Sequence, residues 1–188
     1  MSHESPLEPS DITASVVRAL VLYSLAEFQS GHVRTIRVTA KGSSFSVEDD
    51  GRGHAISRTV EGSPYLRFIY THLEYPYEPG QGKPVQLHGI GMSLLNTLCA
   101  ELTVTVRKPD ALLQMRFRRG HLIDQEVLEA DSDDTGNTIS GVVDAEHARP
   151  DVDEHNLDRW LCAILAASPA LRLYFNGQEL AKPTAGDA

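Results

Sequence analysis

FSVEDDGRG, residues 45–53, is the stretch whose reading decides the fold. Phe45 and Val47 alternate with polar neighbours, as in a strand with one buried face. That strand runs directly into Glu48-Asp49-Asp50-Gly51-Arg52-Gly53. A carboxylate held at a strand end can accept a hydrogen bond from an exocyclic amine, such as the 6-amino group of adenine. The two glycines let the backbone turn beneath a flat ring with no Cβ in the way. Read alone, the same letters also describe an ordinary acidic turn after a strand.

Working outward, Ile36, Val38 and Ala40 alternate ahead of a Gly42-Ser43 turn, so residues 36–47 form a hairpin. Before it, Ile12, Val16, Val17, Leu20, Val21, Leu25 and Phe28 recur at helical spacing, with Ser10 or Asp11 to cap the start and Gly31 to stop the helix. After it, Ser63-Pro64 opens a second helix running to about Leu73. Residues 75–86, rich in Gly, Pro and Tyr, read as a long mobile loop. A third helix spans about Ile90 to Ala100, and β-type runs follow at 101–107, 111–118, 121–129 and 137–143. An amphipathic helix bearing Leu157, Trp160, Leu161, Ile164 and Leu165 closes at Pro169, and a last strand, 171–175, ends in the turn Asn176-Gly177. Strictly alternating βαβ units are absent, and so is the GxxxxGK[ST] signature of a P-loop. The order instead predicts an α+β two-layer sandwich, with helices on one face of a mostly antiparallel mixed sheet.

Composition sets the outer limits. The chain has 188 residues, 17 Lys+Arg against 26 Asp+Glu, and a formal net charge of −9. This length predicts one domain over residues 10–180, with flexible ends at 1–9 and 181–188. The acid excess argues against direct nucleic-acid binding, since there is no basic surplus to displace counterions from phosphate. No apolar run approaches the roughly 20 residues of a membrane span, and no signal peptide is evident. Cys99 and Cys162 lie in apolar stretches and read as free thiols in a reducing cytoplasm. The 8 histidines are scattered without HExxH or other zinc spacing, so no metal site is expected.

A second motif, Leu87-His88-Gly89-Ile90-Gly91-Met92, precedes the third helix. Glycines spaced by one residue at a helix start expose successive N–H groups to an anion. Either motif alone is weak. Together and in this order, EDDGRG and LHGIGMSLLNTL resemble the N-terminal ATP-binding domain of the gyrase B and topoisomerase IV B family. The larger ATPase group that contains this family shares the Bergerat-type ATP-binding fold. Ala26-Glu27-Phe28-Gln29-Ser30-Gly31-His32 and Thr135-Gly136-Asn137-Thr138-Ile139 extend the resemblance over nearly the whole chain.

The resemblance implies ATP or ADP as ligand. Asp49 matches the adenine-binding aspartate, Gly53 the glycine beneath the base, and Arg52 the arginine packing beside it. His88, Gly89, Ile90 and Gly91 match the turn that cradles phosphate, and loop 75–86 matches the lid, with Gln86 where a glycine is usual. The threonine supporting the adenine water falls on Asn137, with Thr138 one residue late. The family's catalytic glutamate and Mg²⁺-holding asparagine fall on Ala19 and Tyr23. No acidic residue lies between Asp11 and Glu27, and no asparagine precedes Asn96, so a register shift restores neither. Alanine cannot take a proton, and a tyrosine is a poor Mg²⁺ ligand. No catalytic residue is therefore assigned. Glu27 reads as a solvated surface carboxylate rather than a substitute base.

The expected function is a stand-alone adenine-nucleotide-binding domain deficient in hydrolysis, which responds to nucleotide and presents a surface to an unknown protein partner. The alternatives are an interaction protein of the same fold that binds no nucleotide, or a slow ATPase drawing its base from elsewhere.

Overall fold

The structure is a computed structural model that describes residues 11–60, 62–72, 91–147 and 152–182. Helix α1 (Ile12–Gln29) starts where the Asp11 side chain accepts from Ala14 N and ends at Ser30, before Gly31 turns the chain at positive φ. Strands β1 (Thr35–Lys41) and β2 (Ser44–Asp49) form the expected hairpin, with Ile36 opposite Asp49. Two-residue strands β3 (Thr59–Val60) and β4 (Ser63–Pro64) pair next, a hairpin with no advance signal. Helix α2 (Tyr65–Thr71) therefore begins after Pro64, which sits at its N-cap rather than in its first turn.

Helix α3 (Met92–Leu98) is shorter than expected. Its last two anticipated residues, Cys99 and Ala100, instead open strand β5 (Cys99–Lys108), where Cys99 pairs with Val143. Strands β6 (Ala111–Arg118), β7 (His121–Glu129) and β8 (Gly136–Val143) complete the meander. Helix α4 (Glu154–Ala167), strand β9 (Arg172–Phe175) and the short β10 (Gln178–Glu179) follow. The eight-stranded sheet runs β10-β9-β1-β2-β8-β5-β6-β7. Every pairing is antiparallel except β1 with β9, so the sheet is mixed as anticipated.

Side-chain alternation divides the sheet into two faces. Ile36, Val38, Val47, Val104, Val106, Met115 and Ile139 point to the buried side and meet Val16, Val17, Leu20 and Val21 of α1, with Leu95 of α3 and Leu157, Leu161 and Leu165 of α4 in the same core. Helix α1 is long and apolar enough to cross a membrane by length and composition alone. Here its apolar side is packed into the core, which accounts for that composition. The other sheet face carries cross-strand ion pairs: Arg37 with Glu48, Arg116 with Asp124, Arg118 with Glu101 and Arg172 with Glu179. These pairs are largely exposed, so each contributes at most about 1 kcal/mol. The fold leaves the C-terminal end of β2 facing the C-terminal half of α1, and the candidate site lies there.

Candidate functional site

The two adjacent aspartates after β2 have separate tasks. Asp50 Oδ1 accepts from Arg34 N and Thr35 N at 2.7 and 2.9 Å and fixes the start of β1. Asp49 turns inward and is 3% exposed. Its Oδ1 accepts from Gly51 N at 3.0 Å and Asn137 N at 3.2 Å, and its Oδ2 accepts from Ser24 Oγ at 2.8 Å. A carboxylate offers about four acceptor positions, so one on Oδ2 is left for a ligand. Behind it, Arg107 donates to the Asp49 carbonyl at 2.7 Å and to Thr138 Oγ1 at 2.6 Å.

The turn that follows is held from the opposite strand. Lys108 Nζ donates to the carbonyls of Arg52 and Gly53 at 2.7 and 3.0 Å. Burial, and next the nearby Arg52, lower the Lys108 pKa. Gly53 adopts φ +70, and a Cβ there would meet Arg107 O at 2.8 Å. The glycine expected beneath a flat ring is thus also required by close backbone packing. Arg52 does not reach inward. It makes a two-pronged ion pair with Glu27, at 3.0 and 2.9 Å, at the rim of the cavity. Glu27 is therefore a clamp on Arg52, not the free surface carboxylate that the sequence suggests.

Tyr23, Glu27, Asp49, Arg52, Gly53, His54, Ala55, Tyr65, Lys108 and Asn137 enclose a cavity of about 330 Å³. That is near the lower limit for small-molecule sites, enough for a heteroaromatic base with little more than a sugar. The Asn137 amide is oriented by its Oδ1, which accepts from His54 N at 2.8 Å. Asn137 also lines the cavity, and no hydrogen bond engages its Nδ2 among the described residues. Asp49 Oδ2 and Asn137 Nδ2 together offer one acceptor and one donor.

Tyr23, on which the resemblance places the Mg²⁺-holding position, is committed elsewhere. Its hydroxyl lies 3.0 Å from His54 Nδ1, and the Tyr70 hydroxyl lies 3.4 Å from His54 Nε2. Burial lowers His54 to a pKa of about 4, with Lys108 adding to the effect. The neutral ring has one donor and one acceptor nitrogen, which suits a phenol on each side. Burial, and then the charges of Glu27 and Asp49, raise the Tyr23 pKa, so its hydroxyl stays protonated. A protonated phenol bound to histidine does not fit Mg²⁺. Ala19 is 4% exposed and belongs to the hydrophobic core, so it offers no base.

Of the residues singled out in the sequence, the structure brings Asp49, Arg52, Gly53 and Asn137 to one cavity. Thr138 is not in the cavity lining and is bound by Arg107. Gly91 forms the N-cap of α3. His88, Gly89, Ile90 and the loop 75–86 lie outside the described residues. Ser24, His54, Tyr65 and Lys108 carry no motif that marks them in the sequence. A weaker signal exists for Ser24: with Tyr23 and Glu27 it makes a polar stripe on the otherwise apolar residues 19–28 of α1.

A mixed sheet covered on one face by helices is shared with solved ATP-binding domains. The topoisomerase IV ATP-binding domain of Francisella tularensis, solved with a small-molecule inhibitor, superposes with a TM-score of 0.74 at 21% identity, covering 88% of this chain and 84% of that one. This chain has the gyrase B-type ATP-binding fold. The 43K ATPase domain of Thermus thermophilus gyrase B, solved with an aminocoumarin, gives a TM-score of 0.73 at 24% identity over 88% of this chain and 44% of that one. In sequence, the DNA gyrase B protein of Streptococcus pneumoniae is 32% identical over 129 residues, 66% of this chain and 20% of that protein. The DNA topoisomerase IV B protein of Bacillus subtilis is 36% identical over 109 residues, 56% of this chain and 17% of that protein. The gyrase-like chain thus spans about a fifth of the curated relatives it matches. No protein-family model matches it.

Proposed function

We propose that this chain binds an adenine nucleotide and hydrolyses it very slowly or not at all. The observation carrying this reading is that Asp49 and Asn137 line the same 330 Å³ cavity, Asp49 Oδ2 keeping an open acceptor position and Asn137 Nδ2 making no hydrogen bond among the described residues. Adenine presents a matching donor and acceptor, its 6-amino group next to a ring nitrogen. The lack of hydrolysis rests on Ala19 in the core and on Tyr23 bonded to His54, which leave neither a base nor a Mg²⁺ ligand at those two positions. Losing a positioned general base costs about 10²–10⁴-fold in rate. With chemistry absent, the output is conformational, and occupancy changes the surface offered to a protein partner. A cytoplasmic setting agrees with the free thiols Cys99 and Cys162.

Isothermal titration of the purified chain with ATP and with ADP, with and without Mg²⁺, tests the reading. It expects binding that Mg²⁺ does not alter and that Asp49→Ala abolishes. Steady turnover near the roughly 10 s⁻¹ of a typical enzyme, in a homogeneous preparation, would overturn the assignment of slow or absent hydrolysis.

A second reading has its own observation. The Tyr23 ring lines the cavity and is tied to His54, which narrows the space open to a ligand. In that reading the fold is kept as an interaction protein without nucleotide, and no heat of binding appears even at millimolar ATP or ADP.

A further inference from the structure

Two edges end the eight-stranded sheet, and they differ. One is closed by the two-residue β10. The other is the nine-residue β7, whose outer side pairs with no strand among the described residues. Open edges of this length are usually protected by charged side chains (Lys above all), by Pro, by bulges or by brevity. β7 contains neither Lys nor Pro, and its one irregularity is the bulge that places Ile123 between the Arg116–Asp124 and Phe117–Leu122 pairs. Ile123, Val127 and Leu128 are 55%, 66% and 50% exposed.

We propose that the outer edge of β7 docks an extended segment of a partner protein in which basic and apolar side chains alternate. The register dictates that pattern. Val127 and Gln125 stand opposite Leu113 and Met115, which face the core, so they lie on the helix side. Asp124 and Glu126 stand opposite Arg116 and Gln114 on the other face. A strand added alongside therefore needs apolar residues next to Val127 and cations next to Glu126. Asp124 is already paired with Arg116. Glu126, on the same face as Asp124, has no cation within ion-pair distance among the described residues, and Asp131, Asp133 and Asp134 follow β7 in sequence. Strand addition supplies backbone hydrogen bonds whatever the sequence, and alternate side chains set the choice of partner.

In the registers that pair most of β7, a second copy of the chain is a poor occupant. Antiparallel self-pairing centred on Gln125 puts Asp124 opposite Glu126. Centred on Asp124 or on Glu126, it sets a carboxylate against its own copy. Directly opposed like charges destabilise a strand pair. The edge is also separated from Asp49 on β2 by β8, β5 and β6, so docking needs no occupied cavity.

The test uses the full chain and two end-blocked octapeptides, one alternating Lys with Val and one alternating Glu with Val. Amide exchange followed by NMR should show alternate β7 amides gaining protection with the Lys/Val peptide only. Glu126→Lys should weaken that peptide about tenfold and favour the Glu/Val peptide, while the thermal midpoint holds because the site is exposed. Equal binding of the two peptides, binding of neither, or protection away from β7 overturns the proposal. Self-association in sedimentation that Val127→Lys abolishes would assign the edge to a second copy and overturn it too.

Discussion

Ser24 on α1 and Asp49 on β2 are joined by a 2.8 Å hydrogen bond in which the serine hydroxyl donates to Oδ2. Both residues are buried, at 2% and 3% exposure, so the bond ties the helical layer to the sheet without competition from water. It also aims the one oxygen of Asp49 that retains an open acceptor position. Ser24→Ala deletes the donor and leaves Oδ1 with its two backbone partners. The expected loss is about 1–2 kcal/mol of stability, or roughly 2–8 °C in the thermal midpoint for a domain of this size. Adenine-nucleotide affinity should fall with it, because Oδ2 is no longer oriented. Denaturation with urea and titration calorimetry on the same variant measure the two effects separately.

Gly136 is the tightest point in the site. At φ +133, a Cβ there would lie 2.0 Å from the Asp49 carbonyl oxygen, a backbone atom that cannot swing aside. Gly136→Ala must push β8 away from the end of β2 and take Asn137 with it. We expect a loss above about 3 kcal/mol, in the range reserved for strain and broken packing. Gly31→Ala, at φ +80 but with open space around it, should cost only about 1 kcal/mol. Comparing the two midpoints in urea separates backbone conformation from the close approach.

The contrast between legible and hidden features has a physical cause. Helix α1 is readable because a long 3.6-residue pattern ends in an Asp cap and a Gly stop. The β3–β4 hairpin is not, since two-residue strands carry no periodicity. Cys99 and Ala100 continue the apolar helical pattern of α3 and equally suit a buried strand, and pairing with β8 decides for the strand. In the site, Asp49, Gly53 and Asn137 come from local motifs. Asn137 and Thr138 could not both line one cavity, because adjacent residues on β8 point to opposite faces. Ser24 and Lys108 act on the DDGRG segment across 25 and 55 to 56 positions of sequence, a relationship no local motif contains.

Lys108 offers a way to loosen the turn without emptying the cavity. From the last position of β5, its ammonium bridges two carbonyls of the segment that carries Gly53. Lys108→Met keeps much of the stem and removes both bonds. Hydrogen bonds from charged donors contribute about 1.5–3 kcal/mol each, reduced here by partial exposure. The expected outcome is a modest drop in thermal midpoint and about a tenfold loss of nucleotide affinity. Lys108→Arg should restore part of both, as read by calorimetry.

His54 should make folding stability depend on pH in a window where carboxylates contribute little. Its pKa is about 4 in the folded chain, lowered by burial and then by Lys108, against about 6.5 when unfolded. Above pH 6.5 the ring is neutral in both states and stability is unaffected. Between pH 6.5 and 4 the unfolded chain takes up a proton that the folded chain refuses, so stability falls as pH falls. Below about pH 4 both states are protonated and the effect levels off. From pH 6.5 to pH 5 the loss should be roughly 1.5 kcal/mol. Urea unfolding at pH 6.5 and 5.0 should show this difference in the wild type and lose most of it in His54→Gln, whose side chain cannot titrate. An unchanged slope in His54→Gln would mean that the Tyr23–His54–Tyr70 cluster is not the buried, neutral unit described above.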